Sequence, residues 1–176
     1  THQNILEGWA HNSSSIPIIL QRVTPTIEGE DARRLGIQEI IGMGRSNFAG
    51  SPVNRRKNIA LGAAKLNGVL IAPDEEFSLV KALGTIDATG GWVKELVIKG
   101  NKTVPEYGGG LCQVATTAFR AAVHSGLEIT KRYPHAYPVK YYGKPGFDAT
   151  IYPPNPDLKF INDTPGHILI QTKISG

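Results

Sequence analysis

Cysteine is nearly missing from this chain. Of 176 residues only Cys112 carries a thiol, which excludes an internal disulfide and any zinc site built on several cysteines. Methionine is equally scarce. The chain opens on Thr1 and its one methionine is Met43, so the sequence is expected to be a piece of a longer protein. Long apolar runs are also lacking, and none approaches the ~18 residues that cross a membrane. Membrane contact is therefore expected only through segments outside this sequence. No sign of charge dominates: 19 Lys+Arg against 15 Asp+Glu leave a scattered +4. The nearest thing to a basic cluster, Arg55-Arg56-Lys57, is too short for a nucleic-acid stripe, and no nucleic-acid partner is expected. With 40% hydrophobic and 19% charged residues, disorder is excluded. The length suits one ordinary domain, or one plus a fragment of a second, and a chain of that size buries roughly 70% of its unfolded surface.

What is abundant is turn chemistry, with 20 glycines and 12 prolines. Ile5 to Trp9 reads as the last turns of a helix. Ile16 to Val23, punctuated by Pro17, reads as an edge strand leading to an acidic turn at Glu28 to Asp31. Residues 1–34 thus form an arm or the tail of a preceding domain, and residues 35–176 the main domain. Within the latter, a helix is expected over Asn54 to Leu66, with Ile59, Ala63 and Leu66 on one face and Gly68 past its end. A second runs from about Cys112 to His124, opened by Gly108-Gly109-Gly110 and followed by Gly126. Strands are expected at Val69 to Ile71, Leu96 to Lys99, Glu128 to Lys131, Tyr137 to Tyr142, Asp148 to Tyr152, Asp157 to Asn162 and His167 to Ile174. Helices early and strands late predict an α+β fold, a mainly antiparallel sheet with two principal helices packed on it.

The segment GGGLCQVATT carries the most chemistry. A cysteine in the first turn of a helix meets the positive end of the macrodipole and outward-pointing N–H groups, which favour the thiolate. Backbone N–H groups there, with the Gln113 amide, suit an oxyanion hole. The plainer reading makes Cys112 a small buried hydrophobe and the glycines a mere turn. A cysteine nucleophile needs a base. His2 and His11 lie in the arm, His124 is about 18 Å along the same helix, and His167 stands in an exposed turn. His135 is left, and Asp148 opens the next expected strand, where its carboxylate can orient the ring. Cys, His, Asp is the chain order of transglutaminase-like and papain-type sites, so such an arrangement is open to this fold. The alternatives are a histidine bonded to backbone and an aspartate capping a turn. Zinc ligation by these three lacks a short-spaced ligand pair, and no metal or cofactor is expected. Trp92, Tyr107, Tyr133 and Tyr137 are candidates to line a glycan or peptide groove, or to serve as core and rim.

From about Leu35 to Ile174 the chain resembles the VanW domain family. The matching segments are RRKNIALGAAKLNGVLIAPDEEFS (Arg55 to Ser78), GGGLCQVATTAF (Gly108 to Phe119), SGLEITKRYPHAYPV (Ser125 to Val139), GFDATI (Gly146 to Ile151) and DLKFINDT (Asp157 to Thr164). The family's Pro-Gly-Glu turn is replaced by Pro73-Asp74-Glu75, a change Asp tolerates because it enters the left-handed region more readily than most residues. The arm resembles the end of a peptidoglycan-binding-like domain. The resemblance implies a bacterial, extracytoplasmic, cell-envelope protein with peptidoglycan or its peptide fragments as partner, but no reaction. Two functions follow as expectations. One is a cysteine-dependent amidase or transpeptidase on stem peptides, with Cys112, His135 and Asp148 catalytic and Gly109, Gly110, Gln113, Arg55 and Arg56 binding substrate. The other is a non-catalytic peptidoglycan-binding or scaffold module. For Arg55 and Arg56, a solvated first helical turn is the competing reading.

Overall fold

The structure is a computed structural model that describes residues 6, 8–11, 15, 33–99, 102–137, 139, 142–143 and 145–175. The chain divides into two compact units, Thr1–Arg34 and Leu35–Gly176. In the first, Leu6 and residues 8–10 are helical, while the expected strand Ile16 to Val23 and the acidic turn lie outside the described residues.

In the second unit, helix α1 spans Val53–Leu66. Its buried residues Asn58, Ile59, Gly62 and Leu66 recur at helical spacing, giving it one inward face. Helix α3, Leu111–His124, buries Leu111, Val114, Ala115, Phe119 and Ala122 on the same logic. The two helices approach closely at Gly62, where an added Cβ would stand 3.0 Å from Leu111 and 3.1 Å from Val114. Between them comes the five-residue helix α2, Leu79–Leu83, whose N-cap Ser78 accepts from Lys81 N–H. Asp157 fastens that corner by accepting from Ser78 Oγ at 2.7 Å and Val80 N–H at 3.0 Å.

The strands are short and, among the described residues, all pair antiparallel. β1 (Leu70–Ile71) pairs with β7 (Ile168–Leu169). β2 (Glu76–Ser78), β6 (Lys159–Ile161) and β5 (Ile129–Lys131) form a three-stranded sheet in that order. Its Phe77 and Phe160, directly opposite, stack at 4.8 Å. β3 (Lys94–Lys99) and β4 (Lys102–Tyr107) make a hairpin. Leu79, Leu83, Ala115 and Leu158 at 0% exposure mark the centre of the core, where each full leucine burial contributes about 1.5–3 kcal/mol.

The fold is α+β as expected, but three small sheets replace one main sheet. Residues 148–152 are irregular rather than a strand, as are Tyr137 and Val139; Tyr142 donates its N–H to Val139 O in a tight turn, and residues 138, 140 and 141 lie outside the described residues. Prolines bound both stretches, Pro134 and Pro145 on either side of 137–142 and Pro153 and Pro154 directly after 152, and a proline cannot donate to a ladder, so regular pairing is not continued through them. The expected strand His167 to Ile174 pairs as a ladder only over β7, after which single bonds carry it on, from Gly68 N–H to Ile170 O and from Ile170 N–H to Val69 O. Trp92 belongs to the core rather than to a groove: it is 2% exposed and its indole N–H donates to Thr85 O at 2.9 Å. Among the described residues no helix is long and apolar enough to cross a membrane.

Candidate functional site

Three glycines set the entry to α3. Gly108 and Gly110 have φ of 79° and 111°, conformations that side chains rarely adopt. At Gly109 a Cβ would fall 2.8 Å from the Glu95 backbone. Asn58, fully buried, holds this loop from below: its amide donates to Gly109 O at 3.0 Å and Val93 O at 2.9 Å and accepts from Val93 N–H. The loop delivers Cys112 as the second residue of α3, half-buried, in a first turn without acidic residues. A positive helix end with no carboxylate of its own favours an anion at that place.

Two irregular segments close on the sulfur. Residues 133–135 and 148–150 run side by side, joined by Thr150 N–H donating to Tyr133 O at 2.8 Å and His135 N–H donating to Asp148 Oδ2 at 3.1 Å. The His135 ring then lies between its partners. Its Nδ1–H donates to Asp148 Oδ2, and the Cys112 sulfur is near enough for ring and thiol to shift each other's pKa. A carboxylate accepts only, so the Asp148 contact fixes the proton on Nδ1 and leaves Nε2 for the sulfur. Tyr142 packs against the imidazole at 5.1 Å. A cavity of about 150 Å³ opens beside the ring, walled among others by His135, Tyr137, Tyr142 and Asp148.

The electrostatics follow from these contacts. Burial pushes the Cys112 thiol up, but hydrogen bonds with His135 and Thr150 outweigh it and hold the thiol below its ordinary value. Burial favours the neutral imidazole, yet hydrogen bonds to Cys112 and Asp148 raise the His135 pKa. Asp148 is pushed up by burial and brought below the usual carboxylate range by His135 and then by Arg132. All three shifts favour the thiolate–imidazolium–carboxylate state.

The structure therefore brings together Cys112, His135 and Asp148. Gly110, Arg55 and Gln113 form a neighbouring group. Arg55 donates to Gln113 Oε1 at 2.9 Å and Ser51 Oγ at 2.7 Å, and its stem lies against Gly110. Gln113 is 1% exposed, and its amide N–H donates to Asn47 O at 3.2 Å. Both ends of that amide are thus engaged in holding residues 47–55 to α3. Arg56 is exposed on α1, outside this group. Two residues escaped the sequence reading. Thr150 places Oγ1 3.3 Å from Cys112 Sγ. Arg132 donates to Asp148 O at 2.7 Å and pairs with Asp148 Oδ1 at 3.6 Å, its guanidinium 4.8 Å from the Phe119 ring centre. The signal for Thr150 was available, since in extended backbone residues i and i+2 share a face and Asp148 and Thr150 stand two apart.

A family model described as VanW like protein matches residues 54–176. The chain is 30% identical over 168 residues to the uncharacterized protein YoaR of Bacillus subtilis (strain 168), covering 96% of this chain and 55% of the relative. It is 35% identical over 117 residues to the vancomycin B-type resistance protein VanW of Enterococcus faecalis (strain ATCC 700802 / V583), covering 63% of this chain and 42% of that protein. The chain thus spans about half the length of these curated relatives. No solved structure matches it significantly.

Proposed function

This chain belongs to the VanW family, and on that premise we propose that it is a cell-envelope protein whose Cys112 cleaves or transfers amide bonds in peptidoglycan stem peptides. The observation that carries the reading is the imidazole of His135 held between the Cys112 thiol and the Asp148 carboxylate at the N-terminus of α3. The envelope setting and the wall substrate rest on the relative named for vancomycin resistance. The reaction class rests on the site.

The thiolate attacks the amide carbonyl carbon, a C–S bond forms, and the carbonyl π pair moves onto oxygen. Of the first-turn N–H groups of α3, those of Leu111 and Gln113 already donate to Gly108 O and Gly110 O at 3.0 and 2.9 Å, so the Cys112 N–H is the donor available to that oxyanion. Collapse breaks the C–N bond while His135 gives its Nε2 proton to the departing amine, leaving a thioester. Water, or an amine from a second stem, then attacks the thioester. His135 takes the proton of that nucleophile, the C–S bond breaks, and the thiolate–imidazolium pair returns. Water gives hydrolysis and an amine gives transpeptidation. Asp148 holds the ring and stabilises the imidazolium throughout.

The test is to mix the protein with purified stem-peptide fragments of peptidoglycan, quench in acid and measure intact masses. The account expects an acyl adduct on Cys112, absent from Cys112→Ala and from His135→Ala. Unchanged protein and unchanged fragment masses across a full set of fragments would refute the catalytic reading and leave a binding module.

A further inference from the structure

Among the described residues the sulfur of Cys112 has three polar neighbours, and they are not equivalent. The Ile151 carbonyl oxygen, at 3.8 Å, can only accept, so it serves a neutral S–H, although the Ile151 backbone taken whole lowers the thiol pKa. His135 donates once its Nε2 is protonated. The Thr150 hydroxyl, at 3.3 Å, can either accept from S–H or turn and donate to S⁻. Among the described residues the sulfur is this hydroxyl's only hydrogen-bond partner. The threonines of α3 behave differently: Thr116 donates to Ala149 O at 3.1 Å and Thr117 to Gln113 O at 2.7 Å. Thr150 is held in place through its backbone, its N–H donating to Tyr133 O, which leaves the side chain free to serve the sulfur. The segment 148–150 thus supplies both the carboxylate behind the base and the hydroxyl beside the nucleophile.

We infer that Thr150 is a catalytic residue, its hydroxyl donating to the Cys112 thiolate in the resting enzyme and releasing it as the C–S bond forms. The inference rests on the reading of Cys112 as a nucleophile. A thioester sulfur carries no charge, so the bond is strongest before attack. It therefore raises the thiolate population at low pH and restrains the intrinsic reactivity of each thiolate. The charged or titratable groups at the sulfur are His135, with Asp148 and Arg132 behind it, and none of them is altered by substituting Thr150.

The experiment measures the rate of thiol–disulfide exchange between Cys112 and a small aromatic disulfide across pH. The variants are Thr150→Val, which keeps shape and loses the hydroxyl, and Thr150→Ser, which keeps the hydroxyl. Relative to wild type, Thr150→Val is expected to react about threefold more slowly near about pH 6, because the loss of one charge-assisted hydrogen bond lowers the thiolate fraction about tenfold while each thiolate reacts about threefold faster. With the thiol fully ionised it should react about threefold faster, because nucleophilicity rises with thiol basicity. The two profiles cross, which a merely structural defect does not produce, and Thr150→Ser follows wild type. Coinciding profiles for Thr150→Val and wild type overturn the inference, as does a uniform loss at every pH. If Thr150→Val does not fold, Thr150→Ala must show the same crossing; failure of both to fold makes the residue structural and overturns the inference. A wild-type profile like that of an ordinary free thiol overturns the nucleophile reading and this inference with it. A depressed wild-type profile that Thr150→Val leaves unmoved overturns this inference alone.

Discussion

Replacing Asp148 by Asn tests the centre of the site with a change of one atom. The carboxylate accepts from the His135 backbone N–H at 3.1 Å, from the His135 ring, and pairs with Arg132 at 3.6 Å. Asn keeps one accepting oxygen and turns an NH₂ toward either the imidazole or the guanidinium. Facing the imidazole, that NH₂ selects the tautomer with its proton on Nε2, which cannot take the thiol proton. Facing Arg132, it sets donor against donor. At least one charge-assisted bond is lost either way, about 1.5–3 kcal/mol. The sign with pH follows from the depressed Asp148 pKa. The contribution is full above the unfolded carboxylate value of about 3.9 and is lost as pH falls through the lower folded value. Urea unfolding followed by fluorescence of the buried Trp92 therefore should separate wild type from Asp148→Asn at about pH 7, with the gap closing as pH drops below about 4. A gap that persists undiminished at about pH 3, or no gap at neutral pH, would refute this electrostatic account.

Two further substitutions probe the scaffold around the sulfur. Gly110→Ala adds a Cβ at φ 111°, 2.9 Å from Arg55 Cγ and 3.2 Å from Arg55 O. It should cost about 1–3 kcal/mol, seen as a lower Tm, and an unchanged Tm would contradict the backbone argument. Gln113→Ala leaves Arg55 and Asn47 O without their amide partner in a buried place, a loss of about 1–3 kcal/mol. Because that amide is committed to structure, the folded fraction of Gln113→Ala should still form the acyl adduct; loss of the adduct at full stability would make Gln113 a substrate contact instead.

The two principal helices were legible because each has a full amphipathic period and a glycine stop, Gly68 and Gly126, at positive φ. Asp74, read as a residue able to replace glycine in its turn, indeed has φ 62°. Helix α2 escaped because five residues show no period, although Ser78 three residues before Lys81 is a capping signal. Strand β4 was not expected, and it accommodates Pro105 opposite Leu96 as an edge strand can. At the site, His135 and Asp148 were reached by elimination and spacing, on the expectation of adjacent strands. The segments do lie together, but as irregular backbone held by the bonds of Thr150 and His135. Arg132 had no local signal, since its role comes from carbonyls and a carboxylate brought from 14 and 16 residues away.

The most direct measurement of the central claim is the rate of Cys112 alkylation by iodoacetamide as a function of pH, on the folded protein, with the modified residue located by mass spectrometry. The account predicts reaction in the native state with a midpoint well below the ~8.5 of a free thiol, and a midpoint displaced upward in His135→Ala. Alkylation that begins only after unfolding, or a native midpoint at the free-thiol value that His135→Ala leaves in place, would contradict it.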